Sequence, residues 1–142
     1  MTWQHGETVE RVYTTPLLDK LGVKPGMRVA VIDVQDADFL AGLAQRTHDI
    51  TLGPPLPATD LVFLGADSVD ELMRIAVLRS ALVPAGAIWV ISRKGKAATL
   101  RDVEVIAAAK AVGLVDNKVA SFSATHTALR LVIPRALRKE LG

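Results

Sequence analysis

The chain has no cysteine among its 142 residues. Disulfides, thiolate metal sites and a cysteine nucleophile are therefore excluded. Long apolar runs are missing too. Half of the residues are apolar, yet no uninterrupted stretch nears the roughly 20 residues that a membrane-spanning helix needs. The opening "MTWQHGETVER" holds two acids and no apolar segment, so no secretory signal is expected there. Together these absences make the cytoplasm the expected location. No HxH or HExxH spacing occurs. The three histidines, His5, His48 and His126, are scattered and read as structural or surface groups. Charge of one sign is also scarce. Seventeen basic against fifteen acidic side chains leave a formal +2, too small to imply a nucleic-acid partner by itself.

One further absence frames the rest. "VAVIDVQDADFL", Val29 to Leu40, looks like a buried strand running into a helix. Many nucleotide-binding α/β proteins are rich in glycine at that junction. This stretch has no glycine and carries Asp33, Gln35, Asp36 and Asp38 instead.

What is present predicts one α/β domain over the whole chain, large enough for a real core. Residues 1–14 read as a polar arm, with Trp3 set to pack on the body or on a partner subunit. "TTPLLDKLGVKPG" reads as a short helix with Thr15 as cap, Pro16 in the first turn and a stop at Gly22. A type II turn follows at Lys24-Pro25-Gly26-Met27. "MRVAVID", "DLVFLG" and "AIWVIS" are apolar on consecutive residues, as strands of a parallel sheet covered on both faces are. Trp89, inside the last of them, reads as core. Asp36 to Arg46 reads as a helix with Phe39, Leu40, Leu43 and Ala44 on one side. "DITLGPPLPATD" is a short strand and a connection whose prolines forbid a helix. "ADSVDELMRIAVLRSALVPAG" is the strongest helix signal, with a Ser68–Glu71 capping box. Val69, Leu72, Met73, Ala76 and Val83 fall on its expected inner face. Thr99 to Val112 is a second amphipathic helix, with Thr99 as its cap. "LVDNKVASFS" and "THTALRLVIP" form an antiparallel hairpin. Residues 134–142 read as a basic tail. The expected architecture is a three-layer, Rossmann-like fold with a mostly parallel sheet.

This order resembles the class I S-adenosylmethionine-dependent methyltransferases. "LGVKPGMRVAVID" is similar to the lead-in to their first strand and "DLVFLGA" to their fourth. "LRSALVPAGAIWVIS" is similar to their leucine-rich helix, proline-glycine turn and apolar fifth strand. The terminal hairpin resembles their sixth and seventh strands. The likeness runs from Leu17 to Ile133, and is specific for fold and weak for activity. "TTPLLDKLGVKPG" and "ALVPAGAIWV" also resemble the "TPL…KLG(I/V)KPG" and "ALxPxGAxWV" phrases of a bacterial family of methyltransferase-like domains that carries no assigned activity.

The departures bear on function. The family's first strand ends in an acid followed by alternate glycines, which let the cofactor approach the backbone. Those positions fall here at Val31, Asp33, Gln35 and Ala37. The family's ribose-holding acid is missing from "ITLGPP". Between Asp49 and Leu61 there is little room for the usual second helix and third strand.

Two clusters remain as candidate ligand-binding residues. Asp33, Gln35 and Asp36, with Asp38, stand at the carboxyl end of the first strand, the edge where open α/β sheets bind ligands. They fit a hard cation or a ligand amine or hydroxyl. Equally, Asp36 fits the cap of the next helix, with its neighbours solvated. Arg93, Lys94 and Lys96 of "SRKGK" follow the third buried strand on the same edge. They fit an anion grip or a solvated loop. This is no P-loop, since Val90 and Ala97 stand where glycine and a magnesium-binding hydroxyl are needed. Acids and bases on neighbouring loops could pair with each other or bracket a zwitterion. No catalytic residue, metal ligand or cofactor is assigned. The expectation is a degenerate methyltransferase-like domain that binds a small ligand or a protein partner without catalysis. A divergent methyltransferase or other small-anion enzyme is the alternative, and nucleic-acid binding through "SRKGK" and "PRALRKELG" a further one. Self-association is expected from the open sheet edge.

Overall fold

The computed structural model describes residues 16–141. The expected arm, with Trp3 and His5, and the Thr15 cap lie outside those residues. Residues 16–20 form a helical turn, α1. The tight turn follows as expected. The Met27 N–H donates to the Lys24 carbonyl at 3.2 Å, and Gly26 takes φ +84°, where a side chain would be strained.

The elements are then β1 (Arg28–Ile32), α2 (Ala37–Arg46), β2 (Asp49–Leu52), β3 (Thr59–Gly65), a 3-10 segment (Asp70–Arg74), α3 (Ile75–Ala81), β4 (Leu82–Arg93), a 3-10 turn (Gly95–Ala97), α4 (Asp102–Ala111), β5 (Val115–Ser121), β6 (His126–Val132) and α5 (Arg135–Leu141). They build one six-stranded sheet in the order β2-β1-β3-β4-β6-β5. The first four of these strands run parallel, and β6 lies antiparallel between β4 and β5.

The consecutive apolar residues of the central strands have a simple reason. Alternate residues enter two separate cores. Val29, Val31, Leu61, Phe63, Trp89 and Ile91 pack on one face with α1, Phe39 and Leu43 of α2, and Phe122. Ala30, Val62, Leu64, Ile88 and Val90 pack on the other with Leu72, Ile75, Leu78, Val105 and Ala109. Trp89 is fully buried, and its indole N–H donates to the Leu21 carbonyl at 3.0 Å. That bond ties α1 to the sheet centre without leaving a buried donor unpaired. The final strand divides as its alternation predicts: Leu129, Leu131 and Ile133 enter one core, Ala128 and Val132 the other.

Residues 53–58 connect β2 to β3 with no helix and no added strand. Arg28 closes this corner. Its backbone N–H donates to Asp60 at 2.8 Å, Nε to Asp49 at 3.0 Å, and Nη1 to the Pro57 carbonyl at 2.6 Å.

Four expectations are corrected. The helix expected after Ser68 is split into a 3-10 segment and α3, and its inner face is Leu72, Ile75 and Leu78. Val69 and Met73 are exposed instead, and so is Ala76. The near-three-residue period of the 3-10 segment puts Leu72, Ile75 and Leu78 in line, so Leu72 stays inside while the rest of the expected face, Val69, Met73 and Ala76, turns outward. Thr99 does not cap α4. Arg101 occupies the cap position, with its N–H donating to Glu104 at 2.9 Å, while Thr99 Oγ1 donates to the Asp67 carbonyl at 2.6 Å. Ala44 is exposed, so the inner face of α2 is narrower than expected. The expected tail forms α5. Leu137 packs on the second core, and Arg138 Nε donates to the Ile133 carbonyl at 2.8 Å. No helix among the described residues is long and apolar enough to cross a membrane.

Candidate functional site

The crossover from β1 leads through α2 to β2, and the crossover from β3 leads through α3 to β4. The two helices pack on opposite faces of the sheet. The chain therefore diverges between β1 and β3, which opens a crevice at the carboxyl ends of the strands. A cleft of about 320 Å³ lies there, on the α2 side. Val34, Ile91 and Phe122 give it an apolar floor, and Phe122 is wedged edge-on against Phe39 of α2 with ring centroids 5.0 Å apart.

Four of the six candidate residues meet in this cleft: Asp33, Gln35, Asp36 and Arg93. They do not play equal parts. Asp36 caps α2, its Oδ1 accepting from the Phe39 N–H at 3.0 Å. One N–H of the first helical turn is thereby taken by a carboxylate. Asp33 takes φ +56°, an uncommon conformation for a residue with a side chain, and its carboxylate accepts from Arg74 Nη1 at 2.7 Å. Both partners are about half exposed (56% and 50%), so water screens the pair. Gln35 is exposed at the rim.

The basic loop is divided. Arg93 lines the cleft. Its N–H donates to Asp67 Oδ1 at 2.9 Å, and its Nε lies 3.8 Å from Asp67 Oδ2. Lys94 turns away to donate to Ser121 Oγ at 2.8 Å. Lys96 is exposed on the 3-10 turn, outside the cleft lining. The acids and bases of the two loops thus pair with Arg74 and Asp67 rather than with each other. "PRALRKELG" follows β6, whose end lies beside the start of β4, whereas "SRKGK" follows the end of β4. Arg135, just after β6, and Arg93 therefore lie at opposite ends of these paired strands.

Sequence reasoning missed Gly65, Asp67, Thr125 and His126 as cleft residues. His126 stands directly opposite Arg93 in the antiparallel β4–β6 register. Its Nδ1 lies 2.8 Å from Thr125 Oγ1, and its N–H donates to Ser123 Oγ at 3.1 Å. The alternation of "THTALRLVIP" places His126 and Arg130 on one face, but nothing local says that β6 inserts beside β4. Among the described residues no group of three or more His, Asp or Glu side chains could hold a metal ion.

No family model matches the chain, and no curated protein matches it. Solved structures do. A magnesium protoporphyrin IX methyltransferase from Synechocystis PCC 6803, with bound S-adenosylmethionine, superposes with a TM-score of 0.60 at 11% identity, over 91% of this chain and 80% of that one. A methyltransferase from Aquifex aeolicus that depends on the same cofactor gives 0.56 at 13% identity, over 88% and 93%. An O-methyltransferase from Thermotoga maritima, with the same dependence, gives 0.60 at 12% identity, over 86% and 65%. The chain has the class I methyltransferase fold.

Proposed function

We propose that this chain binds a small polar molecule in the cleft between the ends of β1, β3 and β4. The observation that carries this reading is the cleft's place. It opens where the crossovers diverge, over an apolar floor, with Asp36 and Arg93 on its walls. Pockets that orient small molecules combine such a floor with a few polar groups.

The residues present do not fit S-adenosylmethionine as the fold holds it. No residue of the segment 49–58 lines the cleft, so the side where the ribose acid would stand is absent from it. The loop after β1 packs its backbone onto Gly65, in place of a glycine loop open to a ligand. A second reading, a divergent methyltransferase, is favoured by the fold of the solved neighbours, which lends no support to a role without chemistry.

Calorimetric titration with S-adenosylmethionine and S-adenosylhomocysteine, beside a thermal-shift screen of small polar metabolites, tests both. The first reading expects no heat from either nucleoside and a saturable shift from a smaller compound. Micromolar binding of either nucleoside would replace it with the second.

A further inference from the structure

We infer that the hairpin end of the cleft is an oxyanion subsite, so that the ligand is a small organic acid bearing a carboxylate or a phosphate. This rests on the cleft being the binding site. Arg93 and His126 are directly opposed across β4 and β6, and both line the cleft. Side chains so opposed share one face, with Cβ atoms about 5 Å apart. Two donors at that spacing can converge on one oxyanion.

Each is held in place and still has donor capacity. The Arg93 backbone is fixed by Asp67 Oδ1, while its guanidinium stays 3.8 Å from Asp67 Oδ2 and is more than half exposed. Of its five N–H donors, none makes a hydrogen bond among the described residues. The His126 ring is steadied by Thr125 through Nδ1; in the tautomer whose Nδ1 accepts from the Thr125 hydroxyl, the proton stands on Nε2, which has no described partner. Thr125 itself lines the same end.

The opposite end has different chemistry. Asp36 is committed through Oδ1 to the α2 cap, and Gln35 is exposed beside it. That end offers acceptors, and the capping carboxylate repels a second anion. Val34, Ile91 and Phe122 give both ends a shared apolar floor. A ligand that satisfies the whole cleft has an oxyanion at one end, a short apolar middle and a donor, hydroxyl or ammonium, at the other.

Amide-resolved NMR titration of the full chain with inorganic phosphate, and separately with acetate, tests the subsite against a chloride control of equal ionic strength. Saturable shifts are expected at Arg93, Thr125 and His126. Arg93→Ala should weaken them roughly tenfold, the loss of about one charge-assisted hydrogen bond. Arg93→Lys should keep part of the phosphate response and less of the acetate response, because lysine lacks the planar fork. A well-dispersed variant spectrum shows that the fold persists. Unsaturable shifts, or an unchanged response in Arg93→Ala, would overturn the subsite. A screened compound that shifts Gln35 and Gly65 but leaves Arg93 and His126 still would overturn it and keep the cleft reading. Phosphate shifts confined to residues outside the cleft would overturn the subsite, whereas a screen in which no compound shifts any cleft residue would overturn the cleft reading itself.

Discussion

The carbonyl of Asp33 occupies the space that a side chain on Gly65 would need. The end of β3 and the loop after β1 therefore meet backbone to backbone. Glycine is required, but on the strand beside the loop rather than within it. This contact shapes the cleft, because Gly65 lines it and Asp33 stands on its wall.

Gly65→Ala should destabilise the chain by about 2 kcal/mol, since the new methyl meets backbone atoms that cannot rotate away. Urea unfolding measures it. A loss under about 0.5 kcal/mol would mean that the loop is free to move.

The acids of the β1–α2 loop should separate by stability. Asp36→Ala removes the α2 cap and should cost about 1 kcal/mol. Asp33→Asn breaks only a half-exposed ion pair and keeps a residue that tolerates positive φ. It should cost no more than about 0.5 kcal/mol. Equal losses in parallel denaturation curves would count against this division of roles.

Trp89→Phe should cost roughly 2 kcal/mol. It empties part of a fully buried site and leaves the Leu21 carbonyl without its donor. The loss should be accompanied by faster amide exchange in residues 16–23, the segment that this bond anchors. Unchanged exchange there would show that α1 is held by packing alone.

Arg130→Met should stabilise the chain by up to about 1 kcal/mol. Arg130 stands opposite Lys118 in the β5–β6 register, a pairing of like charges. Burial first, and then the neighbouring Arg138, lower the Arg130 pKa from its ordinary value. A lowered pKa means that the folded chain disfavours the charged form. Arginine stays protonated at every accessible pH, so the unfavourable term is always present. Methionine keeps the apolar stem and removes the charge. The stabilisation should shrink as salt is added in a thermal melt. A Tm below that of the parent chain would contradict this account.

The sequence by itself determined the class of fold. Consecutive apolar residues in "MRVAVID", "DLVFLG" and "AIWVIS" demand two covered faces, and the prolines of "LGPPLPATD" forbid a helix between β2 and β3. The alternation of "THTALRLVIP" divided its side chains correctly between the cores. These signals are local, carried by periods of a few residues. The acids Asp33 and Asp36 were legible as cleft residues for the same reason, because they end a strand whose edge is known.

Tertiary structure decided what depends on register between distant segments. The pairing of Arg93 with His126 follows from the insertion of β6 beside β4. The contact of Asp33 with Gly65 follows from the close approach of a loop to a strand about thirty residues later. Leu72 faces inward as its spacing predicts, but whether Ile75 and Leu78 or Val69, Met73 and Ala76 joined it turned on one 3-10 segment, whose tighter winding no hydrophobic count reports. Periodicity states which residues share a face. Only packing states which faces meet.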